Sequence, residues 1–169
     1  RRQRQMCIRD RFNTSKLKNM DGFFSQCYSL ESIPLLDLSN VTTANSAFSS
    51  CKSLKSIPEF NTSKLQNASN LFSGCSSLIS IPRLNFSKVT SLYHVVYNCT
   101  SLKEFLPYGM KVSFDLSTST LFERENLVTV LNNLANVTTT QTLTLGETNL
   151  AKLTDEDKKI ATDKGWTLA

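Results

Sequence analysis

Apolar residues recur along this chain at a fixed interval of 24. Phe24, Phe48 and Phe72 hold one offset, with Val96 in the next place. Leu30, Leu54, Leu78 and Leu102 hold a second; Ile33, Ile57 and Ile81 hold a third, with Phe105 fourth. Leu17, Val41, Leu65 and Val89 extend the register backwards. Polar positions repeat too, in Ser15, Ser39, Ser63 and Ser87, and the Pro at 34, 58 and 82 follows the same rule. Three full units run 24–47, 48–71 and 72–95, after a half-unit at 12–23 and before a degenerate unit from 96. A start on a half-unit gives the expectation that the chain is a piece of a longer array. It also leads us to expect Leu17, Met20, Phe23 and Phe24 to lack a covering neighbour.

Within a unit, Val41, Ala44, Ala47, Phe48 and Cys51 are spaced by threes and fours, which predicts one face of a short helix. Ser39, Ser63 and Ser87 fall where its N-cap should be. Leu30, Ile33 and Leu36 carry the chain into an extended segment. Its Pro cannot donate to a ladder, so the strand must be short and start there. One such unit cannot bury its own apolar side, whereas stacked units cover each other. The expectation is an α/β stack with one parallel sheet of short strands on one side and short helices on the other.

Past Pro107-Tyr108-Gly109 the phrase changes. Residues 112–116 alternate as a strand. Thr120 and Glu123 have the spacing of a capping box, and Leu127, Val130, Leu131 and Leu134 share a helix face. Residues 142–145 read as a strand ending at Gly146. Thr154 and Asp157 open a second helix, with Lys158, Lys159 and Lys164 towards its negative end. Gly165 suits the left-handed residue after a helix, and 166–168 is a last strand, Trp166 standing 24 after Thr142. Segment 110–169 is read as the cap that closes the stack, with a separately folding domain as the alternative.

The phrases Phe-Ser-Ser-Cys-Lys-Ser-Leu-Lys-Ser-Ile-Pro (48–58) and Phe-Ser-Gly-Cys-Ser-Ser-Leu-Ile-Ser-Ile-Pro (72–82) resemble the BspA-type leucine-rich repeats of bacterial surface proteins. Asn-Thr-Ser-Lys-Leu (61–65) is similar to a phrase of related repeats in mycoplasma-type surface proteins. The likeness covers 12–109. It implies a leucine-rich-repeat solenoid in an exported protein that adheres or interacts, and it brings no catalytic residues. Similar repeats also occur in phage tail proteins, so a virion component is the alternative placement.

Charge changes the picture only after one segment is set aside. The net charge of +5 suggests an acidic partner, but residues 1–11 read Arg-Arg-Gln-Arg-Gln-Met-Cys-Ile-Arg-Asp-Arg. That string resembles an in-frame translation of a transposase adapter used in sequencing libraries, and is expected to have no native counterpart. A natural basic arm is the other reading. Without its five arginines and Asp10 the chain has 14 basic and 13 acidic residues, a net of +1, which removes the case for nucleic acid. No apolar run is long enough for a bilayer span, so no membrane insertion is expected in this stretch.

Cys27, Cys51, Cys75 and Cys99 share one offset. Each stands alone in its coil, unlike the paired spacing of zinc ligands. They are read as buried core thiols, with disulfides or metal as the alternative; no metal or cofactor is expected. His94 is the only histidine, at an offset filled elsewhere by Gly22, Ser46 and Asn70, which suggests an exposed face. With no marked partner for it and no phosphate loop, an enzyme is not expected. The Asn-x-Ser/Thr triplets at Asn40, Asn61, Asn67, Asn85, Asn98 and Asn136 are read as polar turns and caps, or as glycosylation sites in a secretory eukaryotic host. Alternation along the extended segments turns Leu36, Phe60 and Leu84 inwards. It leaves Leu35, Glu59 and Arg83 outwards, with Asp37, Asn61 and Asn85 beside them. The first three change chemistry from coil to coil over a constant core, which suits recognition as well as plain solvation. The expected function is a non-catalytic binding or adhesion module, extracellular or at the cell surface. Its expected partner is a host or microbial surface protein, with a glycan second, contacted through these six residues.

Overall fold

The computed structural model of the chain describes residues 13–169. The segment read as adapter-derived lies outside the described residues. From Asn13 onward the 24-residue register becomes a hydrogen-bonded stack. Isolated parallel bridges join Asn19 to Thr43, Thr43 to Asn67 and Asn67 to Ser91. In the first coil the N–H groups of Met20, Gly22, Phe24 and Gln26 donate to the carbonyls of Thr43, Asn45, Ala47 and Ser49 at 2.7–2.9 Å. The next coil repeats this from Ala44, Ser46, Phe48 and Ser50, and the one after from Ala68, Asn70, Phe72 and Gly74.

These bonds correct the helix expected after each of Ser39 and Ser63. Residues 45–50 and 69–74 form consecutive tight turns. Alternate N–H groups close i→i−3 bonds, such as Ala47 to Ala44 and Ser49 to Ser46, while those between point along the stack. The cause lies in the backbone. Gly22, Ser46, Asn70 and His94 have φ of 51–63°, and Gln26, Ser50, Gly74 and Asn98 have φ of 58–75°. A left-handed residue every fourth position breaks a right-handed helix and re-aims its amides. Each non-glycine residue there costs about 1–2 kcal/mol, offset at Gln26, Ser46, Ser50 and Asn70 by an inter-coil hydrogen bond. Apolar spacings of three and four suit such turns as well as a helix, so periodicity could not separate the two.

Strand formation is equally sparse. β1 (Ser80–Ile81) pairs in parallel with β2 (Glu104–Phe105), Ser80 opposite Glu104. Earlier coils keep one bond each at this offset, Lys55 N–H to Glu31 and Ile79 N–H to Lys55 at 3.2 and 3.1 Å. Pro34, Pro58 and Pro82 follow and cannot donate. The expected strands after the prolines are extended but largely unladdered.

Inside the stack, Phe24, Phe48 and Phe72 lie face to face, centroids 5.3 and 5.6 Å apart with planes 7° off parallel. Phe60 joins at 6.4 Å from Phe48. Leu30, Leu54, Leu78 and Leu102 are all buried. Met20 and Phe24 are buried too, contrary to the expectation of an uncovered first coil, while Phe23 is 46% exposed.

The register slips to 23 at Asn85, which pairs with Tyr108, and returns to 24 at Met110 and Leu134. Then come β3 (Phe114–Asp115), α1 (Arg124–Asn133), β4 (Gln141–Thr144), α2 (Gly146–Leu150), α3 (Asp155–Thr162) and β5 (Trp166–Leu168). The strands form a parallel sheet ordered β3-β4-β5. Trp166 pairs with Gln141, one residue from the expected Thr142. Helix α1 is capped at Glu123 with no side-chain bond, so the box expected from Thr120 and Glu123 does not form. The carbonyls of Thr120 and Phe122 instead accept from Lys152 Nζ, at 2.9 and 2.6 Å. The box of Thr154 and Asp157 is present in full. One apolar cluster runs from Met20 to Trp166, and Ser119 Oγ donates across the 109/110 boundary to Cys99 O at 3.1 Å.

Candidate functional site

Three of the six candidate residues form an outward column at the repeat spacing. Leu35, Glu59 and Arg83 are exposed, Leu35 by 72%, while the residues after them, Leu36, Phe60 and Leu84, are buried. The preceding prolines fix φ and the buried neighbour anchors the other side, so each side chain is presented from a constrained backbone. Arg83 leans along the stack, its guanidinium carbon 5.0 Å from the Tyr108 ring centroid, a cation–π contact. The column thus carries an apolar, an acidic and a basic side chain in consecutive coils.

The other three candidates build turns. Asp37, Asn61 and Asn85 accept the N–H of Ser39, Ser63 and Ser87 through Oδ1 at 3.0, 3.2 and 3.0 Å. Asn13 does the same for Ser15, and Asp115 for Ser117. This Asx turn explains why Ser39, Ser63 and Ser87 recur without capping a helix. Hydrogen bonds from Ser39 hold the Asp37 carboxyl below its ordinary pKa. Asn85 is half-buried, and its backbone is tied on both sides to Thr62 Oγ1, at 2.8 and 3.0 Å. The structure turns Leu35, Glu59 and Arg83 outwards, Arg83 resting on Tyr108, and gives the other three a structural task.

The cysteines stack in the core. Cys51, Cys75 and Cys99 are buried, and each thiol donates to a phenylalanine carbonyl of the preceding coil, Phe24, Phe48 and Phe72, at 3.1 Å. Cys27 is only half-buried. No disulfide joins these four cysteines to one another. Burial pushes the Cys99 thiol up to about 12 and moves Cys75 in the same direction, leaving poor nucleophiles. Among the described residues, no group of three or more His, Cys, Asp and Glu side chains could hold a metal ion. None of their helices is long and apolar enough to cross a membrane.

One surface feature escaped the sequence reading. His94 is half-buried, sandwiched between Tyr93 and Tyr97 with centroids 3.8 and 4.6 Å away. Tyr93 is 63% exposed and Tyr97 41%. The signal was present as a departure from the repeat. Elsewhere the Tyr93 offset holds Asp21, Asn45 and Ser69, and the Tyr97 offset holds Ser25, Ser49 and Ser73. A left-handed residue between them lets the three rings stack, which a helix would not allow.

The sequence model of a family described as "Mycoplasma protein of unknown function, DUF285" matches residues 3–107. No curated protein and no solved structure matches the chain. The family match agrees with the mycoplasma-type part of the resemblance carried by residues 61–65.

Proposed function

The chain belongs to the DUF285 family, and from that membership we propose that it is a non-catalytic recognition module of an extracellular, surface-displayed protein. On this reading the stacked units are those of a leucine-rich-repeat solenoid of the BspA type, and the partner is a surface protein of a host or a neighbouring microbe. The observation that carries the reading is the column Leu35, Glu59 and Arg83. Its chemistry varies while the buried residues around it stay apolar. A fixed frame with interchangeable outward side chains is how repeat proteins recognise partners. A mixture of apolar and oppositely charged groups suits a protein surface.

The aromatic sandwich at Tyr93, His94 and Tyr97 favours a second reading, a glycan partner. Exposed ring faces are the surface such ligands stack on, and Tyr93 and Tyr97 are both exposed. The test is binding of labelled protein to intact cells, before and after treatment of those cells with surface protease. A protein partner predicts saturable binding that protease abolishes. Binding that survives protease, is removed by glycosidases and is lost in Tyr93→Ala would replace the first reading with the second.

A further inference from the structure

We propose that the edge of the stack bearing Lys16, Lys64 and Lys88 is a binding track for a linear anionic polysaccharide. These lysines share one repeat offset, and all are exposed. The fourth place, in the second coil, is Asn40. Lys18 extends the edge in the first coil. At the other end Gly109 packs so close to Ser87 that an added Cβ would lie 3.0 Å from the Ser87 Cβ. That places the exposed Lys111, two residues on, as a continuation of the row.

Three observations set this edge apart from ordinary solvated lysines. First, the acid at the start of the turn is missing wherever the lysine is present. Asn13, Asn61 and Asn85 precede the lysines, and Asp37 occurs only in the coil with Asn40. Either side chain can accept the Ser N–H of the turn, so the turn alone does not require the neutral one. Second, the charge is segregated. Setting aside 1–11, the chain is almost neutral, yet seven of its 13 acids lie in 123–163. Third, the row is held in register. Thr42 and Thr90 donate N–H to the carbonyls of Lys18 and Gln66 at 2.8 Å. Asn40 donates to Ser15 O at 2.9 Å and accepts Lys64 Nζ at 2.7 Å.

Adjacent coils lie about 4.8 Å apart, so Lys64 and Lys88 set two like charges in neighbouring coils, with Lys64 Nζ turned to Asn40 on the side away from Lys88. A polyanion lying along the row is attracted to both. The row is one side chain wide, which fits a single linear chain rather than the two backbones of a duplex. Beside the lysines, two residues on in each coil, stand Thr42, Gln66 and Thr90, partners for sugar hydroxyls. Neither Arg nor an aromatic ring, the side chains that read nucleobases, stands at these offsets.

The test measures binding of the full chain to immobilised dextran sulfate over a series of NaCl concentrations, with uncharged dextran and duplex DNA alongside. The five arginines of 1–11 remain in every variant and set a common background. Lys16→Gln/Lys64→Gln/Lys88→Gln should weaken dextran sulfate binding at least tenfold and lower the salt slope by about 2–3. Lys52→Gln/Lys55→Gln/Lys103→Gln, with the same charge change elsewhere, should change affinity less than twofold. Equal losses in the two triples would show a mere net-charge effect and overturn the track. So would equal weakening of DNA and dextran sulfate binding by the first triple. The strand-face double variant Glu59→Ala/Arg83→Ala should leave dextran sulfate binding unchanged, which keeps this site separate from the column above.

Discussion

At the scale of single residues, two features give sharp expectations. Gly165 has φ +86°, and a Cβ there would stand 2.6 Å from the Val137 carbonyl oxygen. Gly165→Ala should therefore lose about 2 kcal/mol or more, combining left-handed strain with a backbone clash. Urea unfolding would show it, and an unchanged midpoint would mean the turn relaxes freely. Buried Cys51, Cys75 and Cys99 should react with a thiol reagent only on unfolding, and their fast reaction in the folded protein would contradict the packing. Their shared burial was legible from a common offset. The exception at Cys27 was not, because it depends on the first coil rather than on the repeat.

At the scale of elements, the C-terminal helices show what local signals can and cannot carry. The Thr154 and Asp157 box opens α3 as its spacing indicates. Asp157 does more than cap. Its carboxylate takes a bidentate pair of bonds from Arg124 at 2.7 and 2.8 Å, tying the start of α1 to the start of α3. That partner is 33 residues away, beyond any local pattern. Lys164 likewise was expected to serve the negative end of its own helix. It instead donates to Leu131, Asn132 and Leu134 at the end of α1, at 2.7–3.0 Å. Bonds from Arg124, then from the Thr154 backbone, hold the Asp157 carboxyl below its ordinary pKa. A depressed folded-state pKa stabilises the fold above the unfolded value of about 3.9, and the contribution is lost as pH falls below it. Stability should decline through this range, and Asp157→Asn should flatten the decline. A denaturation series at pH 3 to 6 would test it; identical profiles for parent and variant would remove Asp157 as the cause.

At the scale of the whole molecule, the 24-residue interval was the strongest signal, and it returns as bridges and ring stacks at that spacing. What the interval did not reveal was the conformation within each unit. Ser46 and Ser50 do not announce a left-handed backbone, although Gly22, Asn70 and Gly74 at the same offsets do, and the stack stabilises the serines there through bonds to the neighbouring coil. The candidate column was legible from alternation, and the turn duties of Asn61 and Asn85 from their Asn-x-Ser triplets, while that of Asp37, which begins no such triplet, was not. Because each coil is covered by its neighbours, damage to the core should spread along the stack. Leu54→Ala, at a fully buried position, should lose about 2–5 kcal/mol, whereas changes at Glu59 and Arg83 should leave the unfolding midpoint where it is.

That contrast allows recognition by the outward column to be tested in a single comparison. Parent protein and Glu59→Ala/Arg83→Ala, matched in unfolding midpoint, are titrated side by side onto the same intact cells. If the outward column is the recognition surface, the double variant binds at least tenfold more weakly while remaining equally folded. If it binds with the parent's affinity, recognition through Leu35, Glu59 and Arg83 is wrong, whatever the partner.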